Sequence, residues 1–176
     1  MRQLILIMFM MISTVYANDI YITQSGATLD VDILQDGENN TIGNSTTSSS
    51  VIGATTNFDI RQVGDSNVIT FDINGANYTG TWAITGNSNN IDFNCDSGGS
   101  NSSCGTATAN ITWTGSSQDI DLDIGETSAA GSATVNITGA SGSDSNVVAA
   151  TIDGTSAILT LSVNGDTNNY LIDIDG

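Results

Sequence analysis

Carboxylates are the main candidates for catalytic acid and base groups in this 176-residue chain. It has 19 Asp and Glu, two Arg, and neither His nor Lys. General acid and base catalysis would therefore fall to carboxylate pairs that alternate with other residues and project from one strand face, about 7 Å apart. Such spacing occurs in glycosidases, but an open strand face has no cleft, so we expect no enzyme activity. The carboxylates concerned are Asp30/Asp32, Asp119/Asp121/Asp123 and Asp173/Asp175.

The same carboxylates suggest which ligands and partners to expect. Rows of outward Asp suit a hard cation such as Ca²⁺, although the Gly-Gly-x-Gly-x-Asp pattern of calcium-binding repeats is absent. We therefore expect no cofactor beyond weak calcium binding, and the sequence assigns no metal ligands. A formal net charge of −17 repels nucleic acid and anionic lipid head groups.

The N-terminus has the pattern of a secretory signal peptide. Arg2 precedes an apolar run from Leu4 to Ile12, and Val15 and Ala17 satisfy the small-residue rule for cleavage after Ala17. The alternative, a transmembrane anchor, is disfavoured because the run is too short to cross a bilayer comfortably. We expect cleavage of residues 1–17, no membrane insertion, and a secreted protein located outside the cell or at its surface.

Two cysteines flank a loop of small polar residues. Cys95 and Cys104 are nine residues apart, and an exported protein favours a disulfide between them. Closing such a short loop stabilises the fold by roughly 2–3 kcal/mol in the chain-entropy model. Two thiols without His fall short of a zinc site, and the spacing is not that of a Cys-x-x-Cys redox motif.

The elements that would position these residues follow an internal repeat. Glycines recur mostly at intervals of 11, at 26, 37, 53, 64, 75 and 86 and again at 154, 165 and 176. Positions two, four and six before a glycine are mostly apolar or Gln, whereas the positions between them are polar. This alternation predicts strands with one buried face, joined by turns at the glycines. We expect Trp82 and Trp113 to be buried, both four residues before a turn.

The near-constant repeat favours a β-solenoid over a sandwich or meander. Two 11-residue strand-turn units would make a coil of 22 residues, giving about six two-strand coils in one domain over 18–176. Each coil would add about 4.8 Å of height. Longer steps between glycines predict insertion loops near 43–52, 97–106 and 140–145.

Several of these glycines belong to a longer motif, Gln-x-Gly-x-x-Asn. Complete copies stand at 35–40 and 62–67, and partial copies at 24–26, 86–89 and 165–168. The motif, within a 22-residue coil, resembles the curlin repeat of bacterial curli fibre subunits, in which Gln and Asn side chains stack in internal ladders. Later units carry Ile84 and Val163 at the Gln position, so aliphatic contacts must replace the Gln ladder there. The resemblance implies ladder and turn roles for Gln24, Gln35, Gln62, Gly26, Gly37, Gly64, Gly75, Gly86, Asn40, Asn67, Asn89 and Asn168.

The resemblance also implies a function. Curlin subunits leave the cell through an outer-membrane channel and polymerise as functional amyloid, so we expect self-association into an extracellular fibre or biofilm matrix, with an export channel and a nucleator subunit as partners. Unpaired strand edges would join the copies. The alternative is a monomeric or fibre-tip adhesin that binds a surface or glycan through its loops.

Outward threonines raise a third possibility, an ice-binding solenoid. A flat Thr array resembles the surface of solenoid ice-binding proteins, although Thr is also favoured on any exposed pleated face. The threonines that could form this array are Thr112, Thr114, Thr134, Thr138, Thr151 and Thr160.

Overall fold

A computed structural model describes most of the chain after the predicted signal peptide. The described residues are 19–37, 40–43, 49–64, 66–86, 89–95, 104–115, 117–125, 130–140 and 146–176. The predicted signal peptide and the centres of the three predicted insertion loops, 44–48, 96–103 and 141–145, lie outside them. Within these ranges no helix is long and apolar enough to cross a membrane.

The protein is all-β, as the alternation of apolar and polar residues predicts. Over the described ranges the strands are β1 (Asp19–Ile20), β2 (Thr23–Asp36), β3 (Thr41–Ile42), β4 (Ser49–Val63), β5 (Val68–Thr85), β6 (Asn90–Cys95), β7 (Thr106–Thr114), β8 (Asp119–Ile124), β9 (Ser132–Ala140), β10 (Asn146–Asp153), β11 (Ala157–Val163) and β12 (Asn168–Asp175). All pairings between them are parallel.

These parallel ladders form the two walls of a β-solenoid. The first wall stacks β1, β3, the N-terminal parts of β2, β4 and β5, then β6, β8, β10 and β12. The second wall stacks the C-terminal parts of β2, β4 and β5 with β7, β9 and β11. The predicted solenoid is thus confirmed, with about five turns rather than six.

Three of the nine predicted glycine turns lie inside continuous strands. Gly26, Gly53 and Gly75 fall within β2, β4 and β5, where the chain passes from the first wall to the second without leaving the ladder. A Cβ on Gly53 would lie 2.8 Å from the Gly26 carbonyl oxygen, so close backbone approach explains a glycine there. At these corners the prediction of separate strands was therefore wrong.

Part of the predicted insertion loop at 43–52 is a strand. Residues 49–52 belong to β4, where Ser49 is buried and paired with Phe71, instead of forming an insertion. Gly139 lies inside β9, where the Trp113 indole occupies the space that a side chain at 139 would fill. A larger residue at 139 would overlap this ring.

The core between the walls is apolar, and aromatic rings fill its middle coils. Phe58 of the second wall stacks on Phe71 of the first, with ring centroids 4.1 Å apart. Trp82 meets Phe93 edge-on at 5.1 Å. Both tryptophans are buried as predicted, but only Trp82 is four residues before its turn. Trp113 is two before Gly115 and pairs with Ile84, so the expectation that it stands four residues before a turn was wrong.

Candidate functional site

The turns that lead from the second wall back to the first carry a column of buried amide side chains. Asn40, Asn67 and Asn89 are each at most 3% exposed. Val68, which follows Asn67, donates a backbone hydrogen bond to the Asn40 carbonyl at 3.0 Å. The residue after Asn89 likewise donates to the Asn67 carbonyl, so the three asparagines lie on consecutive rungs. We call the whole column the turn ladder; its members are Asn40, Asn67, Asn89, Gln118, Asn146 and Asn168.

Hydrogen bonds link the turn ladder to the turn backbone and to the next rung. The Asn40 amide donates to the Val63 carbonyl at 2.8 Å, and the Asn67 amide donates to the Thr85 carbonyl at 3.2 Å. The Asn89 amide donates to Gly86 O at 3.1 Å and to Gln118 Oε1 at 2.6 Å. Each amide thus donates to a carbonyl of a turn. Val63 O and Thr85 O also accept backbone hydrogen bonds from Gly37 N and Gly64 N, so the side chains reinforce the backbone ladder there.

Gln118 and Asn146 extend the turn ladder beyond the residues that the sequence singled out. Gln118 N donates to Asn146 Oδ1 at 3.4 Å, and the Asn146 amide donates to Asn168 Oδ1 at 2.9 Å. Asn168 in turn donates to Gly165 O at 3.0 Å. The available signal was Gly115-Ser-Ser-Gln118, which keeps the Gly-x-x-amide spacing with Gln in place of Asn. Asn146 has no such signal, since the predicted loop at 140–145 precedes it.

A second column, inside the second wall, holds the glutamines. Gln62 Nε2 donates to Gln35 Oε1 at 2.5 Å, and Gln35 Nε2 donates to Thr41 O at 3.1 Å. The column, which we call the glutamine column, continues as Ile84, Trp113, Gly139 and Val163. Gln24 lies in the other wall, paired with Val51, so it does not join this column. Its side chain is outside the described residues.

Turn glycines lie where the rungs approach closely. A Cβ on Gly64 would overlap the Gly37 carbonyl oxygen, and one on Gly86 would overlap that of Gly64. Gly37 itself has φ of 149°, which a residue with a side chain rarely adopts. These turns therefore require glycine for two separate reasons.

Cys95 and Cys104 form the predicted disulfide. Cys95 ends β6 and Cys104 precedes β7, and both are at most 1% exposed. The bridge thus joins the two ends of the connection between β6 on the first wall and β7 on the second wall. Among the described residues there is no free cysteine.

Acidic residues face outward from both walls, and two of them are direct neighbours on the first wall. Asp92 of β6 is paired in register with Asp121 of β8, and Asp72 lies nearby on β5. Partial burial raises the pKa of Asp92, and the neighbouring carboxylates of Asp121 and Asp72 raise it further. Within the described ranges, no group of three or more Cys, Asp or Glu side chains could hold a metal ion. Weak calcium binding therefore stays a prediction without ligands.

The two ends of the solenoid differ from its interior. β11 pairs only with β9 and β12 only with β10 in the described part of the chain, so one edge of each strand is unpaired. The inward-facing Tyr170, Ile172 and Ile174 of β12 are 42–46% exposed. Val148 and Ile152, in the same columns one rung earlier, are fully buried. The last rung therefore presents core side chains and backbone hydrogen-bonding groups to solvent.

Comparisons with known proteins give no assignment. No protein-family model, curated protein or solved structure matches this chain.

The exposed ends have matching side chains. The register places Asp19 of β1 and Asn169 of β12 in one column, and therefore Tyr21 and Leu171 in another. Tyr21 is 56% exposed and Leu171 73% exposed. These two outward apolar side chains lie at opposite ends of the same column.

Proposed function

We propose that this chain is a secreted structural subunit that assembles, by strand-edge stacking, into an extracellular fibre or biofilm matrix. The observation that carries the proposal is the exposure of inward-facing side chains on β12, whose column neighbours on β10 are fully buried. Unpaired strand edges template the addition of another chain. The resemblance to curlin repeats adds an export channel and a nucleator subunit as proposed partners.

Head-to-tail stacking would continue the register across the junction. If β1 and the N-terminal part of β2 of a second copy lay on β12, Ile20 would cover Tyr170, Ile22 would cover Ile172, and Tyr21 would contact Leu171. These contacts would bury apolar surface that the single chain leaves in water, which favours association.

The charges at such a junction are also compatible. On the first wall, Asp173 of one copy would lie beside Thr23 of the next. No pair of like charges is created on this wall, whereas Asp92 and Asp121 are such a pair inside the chain. Because like charges directly opposite each other are destabilising, the junction is electrostatically easier to form than that interior rung pair.

Assembly of the mature protein tests the proposal. We expect concentration-dependent filaments in moderate salt and calcium, with a meridional reflection at about 4.7–4.8 Å. A protein that stays monomeric under those conditions would contradict the proposal and favour the adhesin alternative, in which the solenoid is a spacer.

A variant pair separates edge stacking from unspecific aggregation. Ile172→Lys places a charge among the inward side chains of the last rung, and we expect it to abolish filaments. Thr138→Lys adds the same charge at an exposed outward position of β9, which is paired on both edges, and filaments should persist. Circular dichroism would verify that both variants fold. Equal assembly by the two variants would exclude the rung surface as the interface.

A further inference from the structure

The outer face of the second wall loses all charge after its second rung. Its first two rungs carry Asp30, Asp32, Asp59 and Arg61. From the C-terminal part of β5 onward, the outward positions 77–85, 106–114, 132–138 and 158–162 hold only Thr, Ser, Asn, Ala and one Ile. The first wall of the same coils carries stacked carboxylates. In a chain with 19 acidic residues, solubility alone does not explain why none lies at these outward positions of the second wall.

The uncharged positions form a two-dimensional lattice of threonines, which we call the threonine face. Thr79, Thr108 and Thr134 stand in one column on consecutive rungs. Further columns pair Thr112 with Thr138 and Thr85 with Thr114. Neighbouring rungs are about 4.8 Å apart, and outward residues along one strand about 6.8 Å apart.

The threonine face differs from the array that the sequence suggested. Thr112, Thr114, Thr134, Thr138 and Thr160 lie on it. Thr151 belongs to β10 on the first wall, so its inclusion was wrong. Thr151 alternates with inward-facing residues just as the other threonines do, but this alternation alone does not tell which wall a strand joins. The structure adds Thr79, Thr81, Thr85, Thr106 and Thr108.

The threonine side chains of this face have few rotamers, and several of their hydroxyl groups are accessible to a ligand. Thr is β-branched and therefore stiff at χ1, so little side-chain entropy is lost on binding. Within the described part of the chain, the hydroxyls of Thr79, Thr108 and Thr134 make no hydrogen bond to the protein. The Thr112 hydroxyl donates to the Trp82 carbonyl at 3.2 Å, which orients it. On the same face Asn136 donates to Asn110 at 2.9 Å, which ties neighbouring rungs together.

We propose that the threonine face binds ice. Ice presents a rigid, uncharged lattice of water molecules, and a flat sheet that repeats hydroxyl and methyl groups in two dimensions can match such a lattice over several rungs at once. Carboxylates would oppose this because their strongly bound hydration would have to be removed, which agrees with their absence from the outward positions of the threonine face. Crystalline polysaccharide fits less well, since the described outward positions of this face hold no aromatic ring to stack on sugars.

The test uses monomeric protein, so that its outcome is independent of fibre formation. We expect the wild type to be enriched in a slowly growing ice hemisphere and to produce faceted ice crystals. Thr108→Lys should lose most of this enrichment. Thr151→Lys introduces the same side chain at a half-buried outward threonine of the other wall and should retain it. A third variant, Thr108→Val, keeps shape without the hydroxyl and should lie between them.

Three outcomes would overturn the proposal. One is exclusion of the wild type from ice to the same extent as an inert protein of similar size. Another is an equal loss of enrichment in Thr108→Lys and Thr151→Lys although thermal melts show both folded. The third is retention on microcrystalline cellulose without enrichment in ice. Filament formation by a protein that ice excludes would leave the fibre proposal intact and reject this one.

Discussion

The turn ladder and the glutamine column begin side by side but differ in how far they extend. Amides fill the turn ladder on every rung from Asn40 to Asn168, whereas the glutamine column turns apolar after Gln62. The strands around the glutamine column satisfy their backbone groups through the parallel ladder, so apolar side chains can replace the glutamines there. In the turns, buried amides donate to carbonyl oxygens such as Gly86 O and Gly165 O, and an apolar side chain would leave these hydrogen bonds unmade. The turn ladder is therefore the more restrictive part of the repeat.

The largest expected effect comes from removing one amide of the turn ladder. Asn89→Leu deletes the donor to Gly86 O and Gln118 Oε1 and the acceptor of the Asn67 backbone N–H. Because these groups are buried, we expect the free energy of unfolding to fall by about 3 kcal/mol. Urea denaturation measures the change. Asn90→Leu, at the exposed neighbouring position, is the control and should change stability by less than about 0.5 kcal/mol.

An intermediate effect is expected in the glutamine column. Gln62→Leu removes the donor to Gln35 Oε1 and should lower the free energy of unfolding by about 1–2 kcal/mol. The double variant Gln35→Leu/Gln62→Leu should cost less than the sum of the two single changes, because an apolar pair replaces both partners. A double-mutant cycle in urea measures the coupling. Strict additivity, or a cost of Gln62→Leu equal to that of Asn89→Leu, would contradict the contrast between the columns.

The smallest effect, and a gain, is expected on the acidic wall. Asp92→Asn removes the repulsion from Asp121 and Asp72 and should raise the free energy of unfolding by about 0.5 kcal/mol at low salt. Since the folded state raises the Asp92 pKa, this carboxyl favours the folded state more as pH falls through that pKa, and the gain levels off below about pH 3.9. Thermal melts from pH 7 to pH 4 measure it. Asp166→Asn, at an exposed position between β11 and β12, is the control and should leave the free energy of unfolding unchanged at low salt.

The sequence predicted the strands, their buried faces and the disulfide because each depends on local spacing. Period-2 alternation placed Ile91, Phe93 and Cys95 inward, and all three are buried. Local spacing could not separate a tight turn from a corner within a continuous strand, so Gly26 and Gly75 were misassigned. It also could not tell which strands share a wall, and so it grouped Thr151 with threonines of the other wall. Pairing partners lie 22 to 29 residues apart, with loops of unequal length between them, and only the register of the folded chain aligns them.

The most direct test of the central claim, in-register strand-edge stacking, is a disulfide between copies. Tyr21→Cys and Leu171→Cys are made in separate chains, mixed under assembly conditions, and oxidised mildly. Within one chain the two positions are at opposite ends of the solenoid, but in a head-to-tail junction they would be paired neighbours at a separation that a disulfide can span. We predict a cross-linked dimer from this mixture and none when Tyr21→Cys is mixed with Ser162→Cys, which lies on the other wall. Equal cross-linking in both mixtures, or none in either while filaments form, would contradict the account.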